Sequence, residues 1–179
     1  IKKVASTGKP MVISTGMASV KEIDEAVQTI VEAGCEQFAL LKCTSTYPTS
    51  PENSNVLSVP CMRELFGCEV GLSDHTPGVG VAVAAVAHGA TMIEKHFTLS
   101  RADGGVDSTF SLEPHELHLL VEETERAWQS IGKVFFGPTE SEISSLSGRR
   151  SLYIAKDIKS GDKLNLENMK VIRPNKGLP

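Results

Sequence analysis

Glu69-Val70-Gly71-Leu72-Ser73-Asp74-His75-Thr76 decides the fold. It is an apolar run that closes in a cluster of small and polar groups, and Met92-Ile93-Glu94-Lys95-His96-Phe97 echoes it downstream. Each reads as a β-strand that delivers a histidine at its C-terminal end. Between them lie Pro77, Gly78 and Gly80, followed by the alanine and valine run Val81 to Ala90. That run has the length of a helix and side chains small enough to sit close on a sheet. The unit is therefore strand, helix, strand, and such strands lie parallel and adjacent, roughly 5 Å apart. His75 and His96 then leave the same sheet edge and can share one metal ion, with Asp74 and Glu94 as carboxylates near the imidazoles. Either histidine alone would read as a hydrogen-bonded structural residue. As a pair they predict a site that leaves coordination positions open to water and substrate, as a catalytic metal requires.

Upstream the same alternation recurs. Ile1 to Ala5 has the pattern of a last helical turn closing at Gly8, and Pro10 to Thr15 reads as a short buried strand ending in Ser14, Thr15 and Gly16. Ser19 and Glu22 form a capping-box pair ahead of a helix from Val20 to about Ala33, whose apolar face is Ile23, Val27, Ile30 and Val31. Phe38 to Cys43 is the next strand, ending in Thr44, Ser45, Thr46, Tyr47 and Pro48, and Val59 to Phe66 a short helix. Every polar cluster falls at the C-terminal end of a strand, which predicts a parallel α/β architecture with its site on that face. About four such units are present, the C-terminal half of a (β/α)8 TIM barrel, and a half barrel predicts a C-terminal piece of a longer protein. A doubly wound sheet is the alternative, but no G-x-G-x-x-G or P-loop follows a strand.

Downstream of His96, residues 100–108 have the composition of a long loop over the site. Asp107 is its candidate substrate contact, and Asp103 a turn residue beside its glycines. Glu113 to Ile131 reads as an amphipathic helix with Leu117, Leu120, Val121, Thr124, Ala127 and Trp128 on one face; its His115 and His118 read as solvated surface. Composition shifts at Gly132. The chain thus divides into a barrel part over residues 1–132, a Ser-, Gly- and Glu-rich linker over 133–148, and a small β-rich module starting over 149–179.

The 179 residues are 40% hydrophobic and 22% charged, with formal net charge −4. That composition suits a soluble protein with a sizeable core and offers no basic excess for nucleic acid. The longest apolar stretch, Val79 to Ala87, is too short for a bilayer, and no signal-peptide layout opens the chain, so the expected location is cytoplasmic, with no membrane partner. Cys35, Cys43, Cys61 and Cys68 lack metal or disulfide spacing and are expected as reduced thiols.

Ile13-Ser14-Thr15-Gly16-Met17-Ala18, Lys42 to Pro48, Gly71 to Thr76, Glu94-Lys95-His96-Phe97 and Arg173-Pro174, five motifs in order, resemble the sialic acid synthase family of phosphoenolpyruvate-condensing enzymes. Through Leu41 to Pro48, Arg150-Ser151-Leu152-Tyr153 and Gly177-Leu178-Pro179 the resemblance is closest to the members that form pseudaminic acid. It implies a TIM barrel followed by a small SAF (antifreeze-like) domain, in a domain-swapped homodimer. It implies a divalent metal, Mn2+, held by His75 and His96. It places phosphoenolpyruvate contacts on Ser14, Ser45 and Ser73, where Ser45 departs from the asparagine of some members. Contacts to an acetamido sugar fall on Tyr47, Asp107 and the partner subunit's Arg173, and the phosphate-binding lysines belong to an upstream half. The implied reaction condenses phosphoenolpyruvate with an open-chain 2-acetamido sugar to a nine-carbon nonulosonic acid, with His75, His96 and Asp107 at the reacting centre. N-acetylneuraminate and legionaminate formation are the neighbouring alternatives. From other classes, a sugar-phosphate barrel aldolase would need a Schiff-base lysine, for which Lys42 and Lys95 are candidates, and a non-catalytic assembly module would need no complete site.

Overall fold

A computed structural model describes residues 1–178; Pro179, the last residue of the Gly177-Leu178-Pro179 motif, lies outside the described residues. The chain divides into two compact units, Ile1–Gly132 and Lys133–Pro179. In the first, α1 (Lys2–Ala5), β1 (Met11–Ser14), α2 (Val20–Glu32), β2 (Phe38–Cys43), α3 (Ser58–Phe66), β3 (Glu69–Asp74), α4 (Gly80–Ala87), β4 (Ile93–Lys95) and α5 (Pro114–Ile131) follow one another. The four strands form one sheet in sequence order, every neighbour parallel. This is the parallel half-barrel sheet that the strand and helix alternation predicts.

Side-chain alternation explains how the sheet is buried. Leu40, Val70 and Leu72 point to one face and meet Ile23 and Val27 of α2, Val59 and Met62 of α3 and Ala85 of α4, in the main core. Ala5, Met11, Ile30 and Cys35 close a second cluster beside it. The opposite face carries Ser14, Leu41, Cys43, Gly71, Ser73 and Glu94 by the same two-residue period. On this face the central-strand residues are buried, whereas Val12 and Ser14 on β1 and Glu94 on β4 are exposed. Gly71 is obligatory in this packing, because a Cβ there would stand 2.3 Å from the Met92 carbonyl oxygen, which accepts the Leu72 N–H.

The α2 cap forms as expected, with Ser19 accepting from the Glu22 N–H and Glu22 bonding back to the Ser19 N–H. Two apolar faces depart from expectation. Val31 is exposed, because the α2 contact surface is the narrower stripe of Ile23, Val27 and Ile30. On α5 only Leu120 is buried; Leu117 is partly covered, and Val121 and Trp128 stay exposed, since α5 leans on α4 and Ile93 along one edge only. Asp103 sits in a 3₁₀ turn, Arg101–Asp103, that ends at Gly104 with φ +77°. The four cysteines are free thiols, with Cys35 and Cys43 buried. No helix among the described residues is long and apolar enough to cross a membrane.

The second unit holds β5 (Ser151–Ile154) paired antiparallel with β6 (Met169–Ile172). Residues 133–148, expected as a linker, group with this unit and wind into 3₁₀ turns over Glu140–Gly148. Ser151 and Tyr153 hydroxyls both donate to the Pro174 carbonyl, which ties the segment after Arg173 back onto β5. Arg173 itself is exposed.

The steric wall behind Gly71 makes Gly71→Ala the most disruptive one-carbon change in the sheet, costing about 1–3 kcal/mol by overpacking. Ser19→Ala, at an exposed cap, is expected to cost about 1 kcal/mol. Urea denaturation of both variants checks the order.

Candidate active site

Parallel pairing sets the site. Leu72 is level with Ile93, Ser73 with Glu94 and Asp74 with Lys95, so the next residues in each strand, His75 and His96, arrive side by side. Their ring centroids lie 5.2 Å apart with the planes at 71°. Tyr47, from the loop after β2, covers the pair, 4.3 Å from the His75 ring and 5.9 Å from the His96 ring. Phe110 closes the far side, 5.1 Å from His96 and 6.1 Å from Tyr47. Phe110 was not singled out from the sequence, where a lone aromatic in a polar loop carries no distinguishing pattern.

The imidazoles are oriented by different partners. His75 is buried, and its Nδ1 lies 2.9 Å from the Thr44 carbonyl oxygen, an atom that can only accept. Nδ1 therefore carries the proton and Nε2 keeps its lone pair. Thr49 N–H donates to the His75 carbonyl at 2.9 Å, fixing the backbone as well. His96 is half-buried, with its Nδ1 facing Asp107 Oδ2 at 3.6 Å. Two imidazoles this close, each able to offer a ring nitrogen, suit a divalent cation of the transition series.

The expected carboxylate partners are exchanged. Asp74 does not reach a histidine; it turns to the core face of the sheet and binds Lys95. Glu94 accepts from the Ser73 hydroxyl at 2.7 Å. Asp107 is the carboxylate that meets a ring, because the loop after β4 folds back over the strand ends.

Arg101 pins that loop. Its N–H donates to Glu113 and its Nε to the Ser111 carbonyl at 3.1 Å, and its guanidinium pairs with Glu113 and Glu116 at the start of α5. Ser111 Oγ in turn donates to the Asp107 carbonyl at 2.7 Å. The hydrogen bond from Arg101, with a second from the Glu113 N–H, holds the Glu116 carboxyl below the usual glutamate range. Glu113, His115 and Glu116 offer ligand atoms within 4.8 Å of one another, yet both carboxylates are already engaged with Arg101 and the helix cap. His118 is exposed and faces Glu122.

Of the three serines singled out, Ser73 and Ser14 sit on the sheet face that carries Glu94, with Ser14 at the end of β1. Ser45 lies in the loop after β2, with its Oγ 3.9 Å from Cys43 Sγ. Gly16, at φ +47°, brings the loop after β1 so close that a Cβ would stand 3.0 Å from Ser45 Oγ. Arg173 belongs to the second unit. Both Schiff-base candidates lie on the helix-covered face of the sheet, behind the face of Ser73 and Glu94. The Lys95 ammonium is paired with Asp74, and Lys42, whose pKa burial pulls down, donates to the Cys43 carbonyl at 2.8 Å on the core face.

A profile described as the NeuB family matches residues 1–135. The chain is 38% identical over 178 residues to a pseudaminic acid synthase of Campylobacter jejuni, covering 99% of this chain and 52% of that protein. It is 36% identical over 181 residues to an N,N'-diacetyllegionaminic acid synthase of the same species, covering 99% and 54%. Among solved structures, N-acetylneuraminic acid synthetase from Leptospira borgpetersenii serovar Hardjo-bovis, in complex with citrate, aligns with TM-score 0.74 and 35% identity over 81% of this chain and 50% of that one. The chain spans about half the length of the curated relatives it matches.

Because the folded Glu116 carboxyl is depressed, its contribution to anchoring the loop is complete above the unfolded value of about 4.3 and is lost as pH falls through the folded one. Limited proteolysis should therefore find the 100–110 loop more cleavable at pH 3 than at pH 6. Arg101→Ala should give that increased cleavage already at pH 6.

Proposed function

Since the chain belongs to the NeuB family, we propose that it forms part of a synthase that condenses phosphoenolpyruvate with the open-chain aldehyde of a 2-acetamido sugar, giving a nine-carbon nonulosonic acid and phosphate. The observation that carries this reading is the His75 and His96 pair, 5.2 Å apart at adjacent strand ends under Tyr47 and beside Asp107. A divalent cation held there, with manganese our first choice, would supply Lewis acidity toward the aldehyde oxygen.

The protein groups have distinct tasks. His75 and His96 each offer a ring nitrogen, one locked by Thr44 and the other facing Asp107. The enol carbon of phosphoenolpyruvate attacks the aldehyde carbon, and positive charge develops at the carbon bearing the phosphate. Water adds at that carbon, and the carbon–oxygen bond to phosphate then breaks. Ser14, Ser45 and Ser73 suit phosphate or carboxylate oxygens, since a hydroxyl donates without adding charge beside the cation. Glu94 holds the Ser73 hydroxyl proton here, so Ser73 must rotate to donate to substrate. We assign Tyr47 and Asp107 to sugar hydroxyls and, across a domain-swapped homodimer, the partner subunit's Arg173, through its planar guanidinium, to an amide carbonyl or carboxylate. We assign the second unit as the start of an SAF domain and the sugar as the precursor of pseudaminic acid, supported by the 38% identity to the Campylobacter jejuni enzyme.

Mass spectrometry of the chain, and of a version extended upstream to the length of its relatives, with manganese, phosphoenolpyruvate and a mixture of N-acetylmannosamine and 6-deoxy diacetamido hexoses tests the reading. A new nine-carbon acid from at least the longer protein is the expected result, and its mass separates sialic from diacetamido products. Chromatography separates the pseudaminic and legionaminic isomers. Silence from both proteins overturns the synthase, and trapping of a carbonyl substrate by borohydride would point to the aldolase. His75→Ala and His96→Ala should each lower activity by at least about a hundredfold.

A further inference from the structure

The histidine pair stands on an ion pair. Lys95 Nζ lies 2.8 Å from Asp74 Oδ2, and the two side chains are only 3% and 1% exposed. Leu72 packs in the helix-covered core and Ile93 against it, so the two-residue period puts Asp74 and Lys95 on that face, behind the face of Ser73 and Glu94. Opposite charges buried this deeply persist only when their remaining bonding capacity is met. Both carboxylate oxygens and two of the three ammonium protons are engaged: Asp74 Oδ1 accepts the Thr76 N–H at 2.8 Å and the Thr76 hydroxyl at 2.7 Å, and Lys95 donates to Asp74 Oδ2 and to the Thr76 carbonyl.

Every member of this network adjoins a histidine. Asp74 and Thr76 bracket His75, and Lys95 precedes His96. The Asp74 to Thr76 bonds close a turn with His75 at its apex, and the Lys95 ammonium reaches across from β4 to both ends of that turn. The β4 strand is three residues long, with its sheet pairing on the β3 side, and Asp74 and Lys95 are the last register pair before the histidines. Thr44 and Thr49 hold His75 to the β2 loop, but neither touches His96. The backbone ladder brings the two strand ends level, and the Leu112 N–H bonds the His96 carbonyl at 2.8 Å; the side-chain bond that ties the β3 end to the β4 end is the one between Lys95 and Asp74.

We propose that Asp74 and Lys95 are a positioning pair that fixes the separation of the His75 and His96 imidazoles and so sets the affinity and geometry of the divalent cation they hold. This rests on the reading of those histidines as metal ligands. The pair touches neither substrate nor cation; it acts through the two strand ends, from the opposite face of the sheet.

Binding of the metal alone tests it, with Co2+ followed by its visible absorption and Mn2+ by the loss of its free-ion electron paramagnetic resonance signal. The full chain is compared with Lys95→Met, with the neutral double variant Asp74→Asn/Lys95→Met, and with Lys95→Arg. The double variant leaves no lone buried charge, so it stays folded where the single one unfolds. Val59→Ala is the control, a core truncation on the same side of the sheet that leaves the network intact. The expected result is at least a tenfold loss of affinity and a changed Co2+ spectrum in the double variant, partial recovery in Lys95→Arg, and affinity within twofold of the parent in Val59→Ala. Parent-like affinity and spectrum in the folded double variant overturn the proposal, as does an equal loss in Val59→Ala. Parent binding that His75→Ala abolishes, but that ignores every change at Asp74 and Lys95, overturns the positioning role alone. Parent binding that His75→Ala leaves unchanged overturns the metal reading and the proposal together.

Discussion

The structure depends on the parallel register of β3 and β4. With Leu72 opposite Ile93 and Asp74 opposite Lys95, two histidines 21 residues apart leave the sheet as neighbours. A slip of one residue would send every side chain of β4 to the wrong face, exchanging Glu94 with Lys95 and removing His96 from His75. Two features guard against that slip. Gly71 lets the Met92 carbonyl approach the strand to bond Leu72 N–H, and a buried carboxylate at 74 finds its ammonium only at 95. A register error would leave that carboxylate buried without its cation, a cost far larger than that of a misplaced methyl group.

The sheet divides its labour by face. One face is aliphatic as far as the charged groups Lys42, Asp74 and Lys95 near its C-terminal edge and takes α2, α3 and α4, giving the rigidity on which polar strand ends can be aimed. The other carries small and polar groups, Ser14, Cys43, Gly71, Ser73 and Glu94, beside Leu41. Loops from the C-terminal strand ends then supply Tyr47, Asp107 and Phe110 around the histidines. Chemistry gathers at that edge because strands end there with backbone groups and side chains unpaired, while the rest of each strand is committed to the core.

Arg101 shows how a loop without regular pairing is held in place. Its contacts to Glu113, Ser111 and Glu116 convert residues 97–113 from a tether into a shaped wall, and Asp107 reaches His96 as a result. Exposed ion pairs are individually weak. A guanidinium that engages two carboxylates and a carbonyl at once is worth more in order than in energy, because its planar geometry admits few arrangements of the loop.

Periodicity and turn chemistry alone determined the alternation of strand and helix, the capping box at Ser19, the strand from Phe38 to Cys43 and the emergence of His75 and His96 on one edge, because each is a local pattern repeated within a few residues. The packing of α5 was not local: its apolar stripe is continuous in the sequence, but only Leu120 finds full cover, so Trp128 and Val121 stay exposed. Nor were the carboxylate assignments. Asp74, Glu94 and Asp107 are all acids beside a histidine or its loop, and which one meets a ring follows from the face each strand position presents and from where a long loop returns. The ion pair beneath the histidines, the proton on His75 Nδ1 and the placement of Phe110 likewise came only from the tertiary structure. For the first two the physical reason is the same: a buried polar group takes its role from the partner that replaces water, and that partner lies about 20 or more residues away, where no periodicity reaches; Phe110 meets the His96 ring because its loop returns over the strand ends.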